Sequence, residues 1–469
     1  MLNMGGPSTL EGAEDGVRPF LKRLFSDKEI IQLGGGLLQR AVGSFVSTRR
    51  SPRIKEQYAA IGGGSPIGKW TALQGAAMVE KLSELMPEQV RCVPLPCAAR
   101  GARTLSAIPT SPPIVAPPPP PTHTPQAAAG GFRAYTAFRY APPLTEAALR
   151  AMAADGVERA VAFSQYPQFS CTTAGSSLNH LWRESVRLGM ERAFSWSVLD
   201  RWPTHPAFVA AVARCVATGL ARFPEAQRDR VVIVFSAHSL PMKVVERGDA
   251  YVAEVAATVA AVMAALRAGG VVPAGAGGSG DGAPMAPVRA PHTLAWQSKV
   301  GFLPWMAPKT GDVLAGLARQ GFDAVLTVPI AFTSDHVETL YEIDVEYAHA
   351  AREAGIARFE RAPSLNGEPL LALAQAQLVA EHLRSGAPAA TPAYALNCHG
   401  CTNPACRTIL NPVAPYEKMR DGFGKGAAAA AGAAAAGGKG KGKAGEPVPP
   451  WPSAADLEAL RARGGTPCD

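Results

Sequence analysis

The run "RVVIVFSAHSLPMKVVERGDAYVAEVAATVAAVMAAL", residues 230–266, contains the unit from which this chain is built. An apolar strand leads into a polar loop and the loop leads into a helix, and the same order recurs at residues 159–189 and 323–355. The strands are continuous apolar runs, as expected of parallel strands that helices cover on both faces. This alternation predicts an α/β fold with doubly wound parallel sheets, whose ligands bind beyond the carboxyl ends of the strands.

The bulk composition is that of a globular protein. Of the 469 residues, 47% are hydrophobic and 18% are charged, which provides enough apolar material for a large core. The apolar runs are too short to predict a membrane-spanning helix. The net charge of +8 comes without a nucleic-acid-binding motif, so we expect no nucleic-acid partner.

Three low-complexity segments interrupt the strand–helix pattern. Residues 94–131 contain a proline run, which is typical of extended and unpacked chain. Residues 269–290 are rich in Gly and Pro and indicate a flexible loop. Residues 411–469 include an Ala/Gly/Lys tract and are predicted to form a mostly disordered tail.

The stretch "AFTSDHVETLYEIDVEY", which follows the apolar run "DAVLTVPI", is strongly acidic. If it is helical, Glu338, Glu342 and Glu346 are spaced four apart and share one face. Like charges at that spacing repel by roughly 0.2–0.5 kcal/mol, which a bound cation would offset. A solvated helix face is the plainer explanation, and Asp335, beside His336, can simply cap the start of the helix.

Two further histidines lie in loops that follow apolar segments. His238 ends a strand in "FSAHSLP", where an imidazole can act as a general base, a metal ligand or a hydrogen-bonded core residue. His205 lies in "DRWPTHP", close to the flat apolar side chain of Trp202.

A glycine-rich segment and a group of arginines lie near the amino terminus. The segment "IGGGSPIGKW" lacks the spacing of a nucleotide-binding P-loop, although its glycines permit close approach of the backbone to a flat ligand. Just upstream, "STRRSPRIKEQY" holds Arg49, Arg50 and Arg53 near Tyr58. Arginines beside an aromatic ring suit a planar ligand that bears carboxylates, and ordinary surface charge is the alternative.

The cysteines indicate a metal site. Eight cysteines are too few for a disulfide scaffold in a chain of this length. Cys398, Cys401 and Cys406 form a C-x2-C-x4-C run, whose spacing fits either zinc or an iron–sulfur centre. A four-ligand site needs one more thiolate, and Cys171 is the best candidate because it follows a strand inside a polar loop.

Several motifs, taken in chain order, resemble those of the ferrochelatase family. They are "LNMGGP", "RRSPRIKEQYAAIGGGSPI", "AFRYAPPLTE", "YPQFSCTTAGSSLN", "DRWPTH", "FSAHSLPMKVVERGD", "WQSKVGFLPWMAPKT", "PIAFTSDHVETLYEID" and "NCHGCTNPACR". The resemblance runs from residue 1 to about residue 407 and skips the first two low-complexity segments. It implies the last enzyme of haem synthesis, which inserts its metal substrate, ferrous iron, into protoporphyrin IX.

The resemblance also implies the domain organisation. Two similar, doubly wound, Rossmann-like halves with parallel sheets are expected, followed by a cysteine-rich extension. The expected boundaries are residues 1–93 and 132–200 for the first half, 201–390 for the second half and 391–410 for the extension.

Catalytic roles follow from the family motifs. His238 stands where a base near the ring centre accepts pyrrole protons, and Glu338 is its expected partner across the pocket. His205 matches a second position regarded as catalytic in animal members. The expected iron path continues from the His238–Glu338 pair through Asp335, His336, Glu342 and Glu346.

The motifs further imply the substrate contacts. The expected lining of the porphyrin pocket is Met4, Arg50, Tyr58, Ser65 and Arg139, with Arg50 and Ser65 meeting the propionates. One departure concerns Gln377, which replaces an Asp of the animal enzymes, so Gln377 is left out of the site.

The terminal cysteines resemble those of the subgroup that includes the animal enzymes. That subgroup implies a [2Fe–2S] cluster on Cys171, Cys398, Cys401 and Cys406, and a homodimer on the matrix face of the inner mitochondrial membrane. The apolar segment at residues 30–46 matches the lip that docks on the membrane. The sequence opens "MLNMGGP" without a targeting leader, and we expect a truncated start.

Two rival functions also fit the residues. One is a chelatase that acts on a more carboxylated ring such as coproporphyrin, although the cysteines and the apolar lip favour the less polar substrate. The other is a non-enzymatic iron–sulfur or zinc protein that binds haem and senses iron.

Overall fold

The computed structural model describes residues 1–27, 29, 36–87, 131–269, 287–301, 303–396, 398–401, 403 and 406–410. These residues all lie within one compact unit, Met1–Val413. The predictions for the low-complexity segments fall almost entirely outside the described residues, as do positions 30–35 of the predicted lip.

Four short parallel strands come from the first part of the chain. Strand β1 (Leu2–Asn3) pairs with β2 (Ala137–Phe138), and β3 (Arg159–Phe163) pairs with β4 (Ser195–Leu199). A parallel bridge from Leu2 to Ser164 connects the two pairs. The loops that follow β1, β2, β3 and β4 therefore leave from one edge of this sheet.

Helices flank these strands. They are α1 (Val17–Ser26), α2 (Gly36–Ala60), α3 (Ile67–Leu85), α4 (Thr145–Ala154) and α5 (Ser176–Arg187), with a π-helical turn at Cys171–Gly175. Helices α1 and α2 pack together through a small apolar cluster of Val17, Leu21, Phe25 and Tyr58.

The second sheet is larger and has the strand order β6–β5–β7–β8, all parallel. Its strands are β5 (Val232–His238), β6 (His292–Gln297), β7 (Ala324–Pro329) and β8 (Arg358–Arg361). Strand β5 is buried from Val232 to Ala237, because its continuous apolar run is covered on both faces. The predicted α/β fold with parallel sheets is confirmed.

The second sheet is surrounded by six helices in the described part of the chain. They are α6 (Pro206–Leu220), α7 (Met242–Val245), α8 (Tyr251–Arg267), α9 (Thr310–Arg319), α10 (Ala348–Ala354) and α11 (Pro369–Ser385). The main core lies where α6, α8 and α11 pack against β5 and β7. None of the helices in the described ranges is both long and apolar enough to cross a membrane.

The acidic stretch forms a π-helix, Glu338–Tyr347, that continues directly into α10. In a π-helix each N–H bonds to the carbonyl five residues back, so the turn is wider than in an α-helix. Such segments are rare and frequently occur at functional sites.

Candidate active site

His238 and Glu338 are in direct contact at the carboxyl edge of the second sheet. His238 is the last residue of β5, and Glu338 begins the π-helix that follows the neighbouring strand β7. Nδ1 of His238 lies 3.0 Å from Oε2 of Glu338. Glu338 was expected as the partner of His238 across the pocket, and here the two side chains share a hydrogen bond.

Each member of this pair stabilises the charged form of the other. Burial alone would lower the pKa of His238, but the adjacent carboxylate of Glu338 outweighs it and raises that pKa above its ordinary value. Burial would raise the pKa of Glu338, whereas His238 and His336 lower it on balance. His336 contributes because its Nε2 lies 3.8 Å from the same carboxylate oxygen, while its Nδ1 lies 3.0 Å from the carbonyl of Ser334.

Glu342, one turn further along the π-helix, also points into this site. Its carboxyl group accepts the backbone N–H of Ser298 at 2.8 Å, the amide of Gln297 at 3.2 Å and the hydroxyl of Tyr347 at 3.0 Å. The hydroxyl of Ser298 is a further donor. Burial, and then the charge of Glu338, raises the pKa of Glu342. Glu338 therefore stays ionised readily, whereas Glu342 holds a proton more readily.

Glu346 and Asp335 are not part of this group. Glu346 is half-buried and lies 3.9 Å from the exposed guanidinium of Arg53. Asp335 Oδ1 is 3.1 Å from Arg361 and 2.6 Å from the Ser364 hydroxyl. The same Asp335 carboxylate also accepts from the side chains of Asn366 and Thr339. The alternative of an N-cap is not supported, because the π-helix begins without a side-chain cap. Burial would raise the pKa of Asp335, but Arg361 and these donors lower it.

Several aromatic residues lie near the His238–Glu338 pair. Burial raises the pKa of Tyr58, Tyr166 and Tyr251, and the negative charge of Glu338 raises each further, so all three phenols lie within its field. The ring of Trp305 lies 6.3 Å from that of His238. The sequence analysis did not single out Tyr166, Tyr251 or Trp305, although Tyr166 and Trp305 stand inside quoted family motifs and Tyr251 lies two residues after one.

Met4 and Ser65 lie in loops beside this site. The backbone N–H of Met4 donates to the hydroxyl of Tyr166 at 2.8 Å. The backbone N–H of Ser65 donates to the carbonyl of Pro7 at 2.7 Å, and a Cβ on Gly6 would come within 2.6 Å of the Ser65 hydroxyl. The close approach of these two loops therefore requires a glycine at position 6.

Arg50 and Arg139 occupy contrasting environments. Arg50 is exposed on α2, and its guanidinium lies 5.8 Å from the ring centre of Phe25. Arg139 is buried, contacts the carboxylate of Asp27 and lies 3.6 Å from that of Glu29. Two protein carboxylates thus already neutralise the charge of Arg139, the buried member of the predicted pocket lining.

His205 lies apart from the His238–Glu338 pair. It precedes α6, and its buried Nδ1 has no hydrogen-bond partner in the described part of the chain. Burial lowers the pKa of His205, and Glu381 of α11 partly opposes that effect.

A cavity lined by none of these site residues also occurs among the described residues. It has a volume of about 1060 Å³ and is lined by Met1, Leu82, Phe132, Trp196 and neighbouring side chains. Residues that immediately precede β3, such as Glu158, also line it, so it opens at the amino ends of the strands. Because ligands of parallel sheets bind at the carboxyl ends, we assign the chemistry to the His238–Glu338 region instead.

The four cysteines come together from two distant parts of the chain. Burial raises the pKa of Cys171, and so do Asp249 and the neighbouring thiols of Cys398 and Cys401. Burial likewise raises the pKa of Cys406; Arg407 opposes this, and the nearby thiols Cys401 and Cys398 add to it. The backbone N–H of Cys401 bonds to the carbonyl of Cys398 at 2.9 Å, which closes the C-x2-C turn.

The spacing of these thiols bears on the kind of group they can hold. Within the ranges that the structure describes, no three His, Cys, Asp or Glu side chains converge as tightly as a single bound ion requires. A two-iron cluster divides four thiolates between two iron atoms and does not need three ligands around one point. Thiolates suit both zinc and iron–sulfur centres, so the four cysteines supply donor atoms of the right kind for either.

Comparisons with known proteins agree on one family. The profile of the family described as Ferrochelatase matches residues 1–95 and 123–383. The proteins named "Ferrochelatase, mitochondrial" from Bos taurus, Gallus gallus and Xenopus laevis are 44%, 43% and 44% identical to this chain. Each alignment covers 87% of this chain and between 82% and 85% of the relative.

Proposed function

This chain belongs to the ferrochelatase family, and on that premise we propose how its residues carry out the last step of haem synthesis. A ferrochelatase inserts ferrous iron into protoporphyrin IX, so one Fe²⁺ enters the ring as two pyrrole protons leave it. The observation that carries the proposal is the 3.0 Å hydrogen bond between His238 and Glu338. It joins a base to a carboxylate at the strand ends where a ligand is expected.

His238 accepts the pyrrole protons. Its Nδ1–H donates to the Glu338 carboxylate, which fixes the tautomer and leaves Nε2 free to act as the base. The carboxylate also raises the pKa of the imidazole against the effect of burial, which strengthens the base. In this proposal Glu338 orients His238 and raises its pKa, rather than forming the opposite wall of the pocket.

Glu342 takes part in proton removal. Its raised pKa suits a group that receives a proton, whereas the lowered pKa of Glu338 suits a group that stays charged. The two side chains are linked through Gln297, whose amide donates to the Glu338 carbonyl at 3.0 Å and to the Glu342 carboxyl group. We assign proton export to Glu338 and Glu342. Glu346 and Asp335 are not part of this proposed route.

The iron substrate meets imidazole and carboxylate ligands. His336 and Glu338 offer such a pair, and these ligand types suit ferrous iron. Iron in transit needs only a partial ligand set, because a closed site would retain the metal instead of passing it on.

The porphyrin lies against the aromatic residues near Glu338. Tyr58, Tyr166 and Trp305 provide flat walls, and Met4 lies in the same region through its bond to Tyr166. Arg50 and Ser65 are the proposed propionate contacts, since Arg50 is exposed and carries no carboxylate partner among the contacts described above. Arg139 is proposed as a structural residue near the porphyrin pocket. His205 is proposed to act from outside that pocket.

We propose that Cys171, Cys398, Cys401 and Cys406 hold a [2Fe–2S] cluster. Their convergence from two separate segments supports this ligand set. When bound, such a cluster supplies a cross-link between those segments and a one-electron centre.

The cellular setting is proposed from relatives and from the surface. Relatives named as mitochondrial support a mitochondrial location, and we propose the matrix face of the inner membrane and a homodimer. Phe45, on the described part of the predicted lip, is 68% exposed, as an interfacial anchor should be. The two-half domain division is likewise a proposal, supported by the two separate parallel sheets.

A direct assay tests the proposed substrate. Purified protein is given ferrous iron with either protoporphyrin or coproporphyrin, and metallation is followed by absorbance. Preference for protoporphyrin is expected, and preference for coproporphyrin would assign the chain to the rival chelatase. Binding of haem without metallation of either ring would favour the non-enzymatic function.

A further inference from the structure

The buried carboxylate of Asp249 joins the cysteine site to the catalytic region. Asp249 Oδ2 accepts the backbone N–H of Cys171 at 2.7 Å and the hydroxyl of Ser170 at 3.2 Å. Oδ1 of the same group accepts the backbone N–H of Tyr251 at 3.0 Å. Asp249 is only 8% exposed, so these bonds are shielded from water.

The loop that carries the other cysteines lies against the residues just before Asp249. The backbone N–H of Gly400 donates to the carbonyl of Arg247 at 3.0 Å. The imidazole of His399 packs on Gly248, where an added Cβ would lie 2.5 Å from Nδ1 of His399. Gly248 also has a φ of +90°, so only glycine suits both the backbone conformation and the contact. Both cysteine segments therefore converge on residues 247–249.

Tyr251 extends this connection to the catalytic pair. Its side chain is buried, its ring centre lies 6.1 Å from that of Trp296, and the charge of Glu338 reaches its phenol. Trp296 directly precedes Gln297, whose amide bonds to the Glu338 carbonyl and to Glu342. The first turn of α8 thus touches the Cys171 turn on one side and the catalytic region on the other.

We propose that Asp249 is a positioning residue through which order in the cysteine site fixes Tyr251 beside Glu338. An ordered cluster holds the Cys171 turn and the Cys398–Cys401 loop against residues 247–249. Because Asp249 also accepts the backbone N–H of Tyr251, it holds Tyr251 in place as well. Tyr251 in turn keeps the porphyrin pocket in its binding shape. Loss of the cluster loosens the first turn of α8 and weakens porphyrin binding at a distance. This inference rests on the proposed cluster and pocket.

A double-mutant cycle tests the coupling through porphyrin affinity, measured by fluorescence without turnover. The variants are Asp249→Asn, Cys401→Ser and the two together, with cluster content read from visible absorbance. Asp249→Asn should weaken protoporphyrin binding by about fivefold or more, the lower end of typical coupling between sites. In the Cys401→Ser background the same change should have little further effect, because the connection is already broken.

Two controls separate positioning from general loss of structure. Asp312→Asn, at a side chain 69% exposed on α9, should leave affinity unchanged. Glu254→Gln, in the first turn of α8, removes the negative charge that pairs with Arg201 but leaves the bond between Asp249 and Tyr251. It should therefore lower the melting temperature without the cluster-dependent loss of affinity. If Asp249→Asn does not fold, Asp249→Glu, which keeps the charge, replaces it in the cycle.

The possible outcomes are distinguishable. Affinity losses that multiply in the double variant, or an unchanged affinity in folded Asp249→Asn with its cluster intact, would overturn the coupling alone. A wild-type protein without the visible absorbance of a cluster, or without protoporphyrin binding, would instead contradict the proposed function.

Discussion

His238 and Glu338 are 100 residues apart in the chain, yet Nδ1 of the imidazole lies 3.0 Å from Oε2 of the carboxylate. They meet because β5 and β7 are neighbouring parallel strands, so the segments that follow them leave from the same edge of the sheet. If His238 is the base, as proposed, both its orientation and its basicity depend on this one acidic partner. Most of the predictions below follow from that dependence.

Removal of the base should abolish most turnover without abolishing binding. His238→Ala is expected to lower kcat by about 100-fold or more, the usual range for loss of a general base, while protoporphyrin still binds. Steady-state metallation and fluorescence titration measure the two quantities. His349→Ala, at a histidine side chain 65% exposed on α10, serves as the control and should behave like wild type. Equal losses in both variants would argue against a specific role for His238.

The pKa of His238 should fall when its partner is neutralised. In the Glu338→Gln variant, burial still disfavours the imidazolium, but the carboxylate that outweighed burial is gone. The ring-proton resonances of His238, followed by NMR across a pH titration, should therefore show a lower midpoint than in wild type. An unchanged midpoint would mean that the 3.0 Å contact does not control the base.

The same substitution should change how stability depends on pH. The raised pKa of folded His238 gives stability that is complete below its unfolded value, near 6.5, and is lost as pH rises through the folded value. The lowered pKa of Glu338 gives stability that is present above its unfolded value, near 4.5, and is lost on acidification. The stability difference between wild type and Glu338→Gln, measured by urea unfolding, should thus be largest between these two values. A difference that grows above that window would contradict the pairing.

Asp335 and Glu342 should respond differently to loss of charge. Asp335→Asn disturbs the bonds to Arg361 and Ser364, so it should lower the free energy of unfolding by about 1–3 kcal/mol with little change in kcat. Glu342→Gln should lower kcat, because a proton acceptor is lost, while stability changes less. Thermal unfolding and metallation rates measured on both variants test the distinction. A fall in kcat without loss of stability in Asp335→Asn would instead support a role for Asp335 in the iron path.

Cysteine replacement should reveal the bound group. Cys401→Ser is expected to remove the visible absorbance of a [2Fe–2S] cluster and to reduce the iron content of the purified protein. Cys215→Ser, at a buried cysteine of α6 outside the proposed ligand set, is the matched control and should keep both. A colourless wild-type protein that contains zinc would show that the cysteines bind zinc instead of a cluster.

Much of the fold was accessible from the sequence, because a buried parallel strand must be apolar along its whole length. The runs at β5 and β7 stand out for that reason, and both were identified. Strand β1, with two residues, carries too little pattern to be recognised alone, and its pairing with β2 depends on a partner 135 residues away in register. The conversion of the acidic stretch into a π-helix likewise left no local signal in the residue spacing.

The site was predictable in its members more than in its geometry. His238 and Glu338 were identified from strand ends and family motifs, but their direct contact was not. Arg139 was expected to line the porphyrin pocket, but its contact with Asp27 could not be read from the sequence. Tyr251 went unnoticed because its role depends on the distance to Glu338, which no spacing along the chain encodes.

The sequence by itself determined which residues end the strands, because hydrophobic patterning is a local property that each segment carries independently. It thereby grouped an imidazole, several acids and four thiols near the expected ligand edge. Only the tertiary structure decided that Glu342 turns toward Ser298 and Gln297 while Glu346 reaches solvent, since those partners belong to the end of β6 and lie beyond any local pattern. Side-chain direction is set by neighbours distant in sequence, and the chemistry of this site depends on direction.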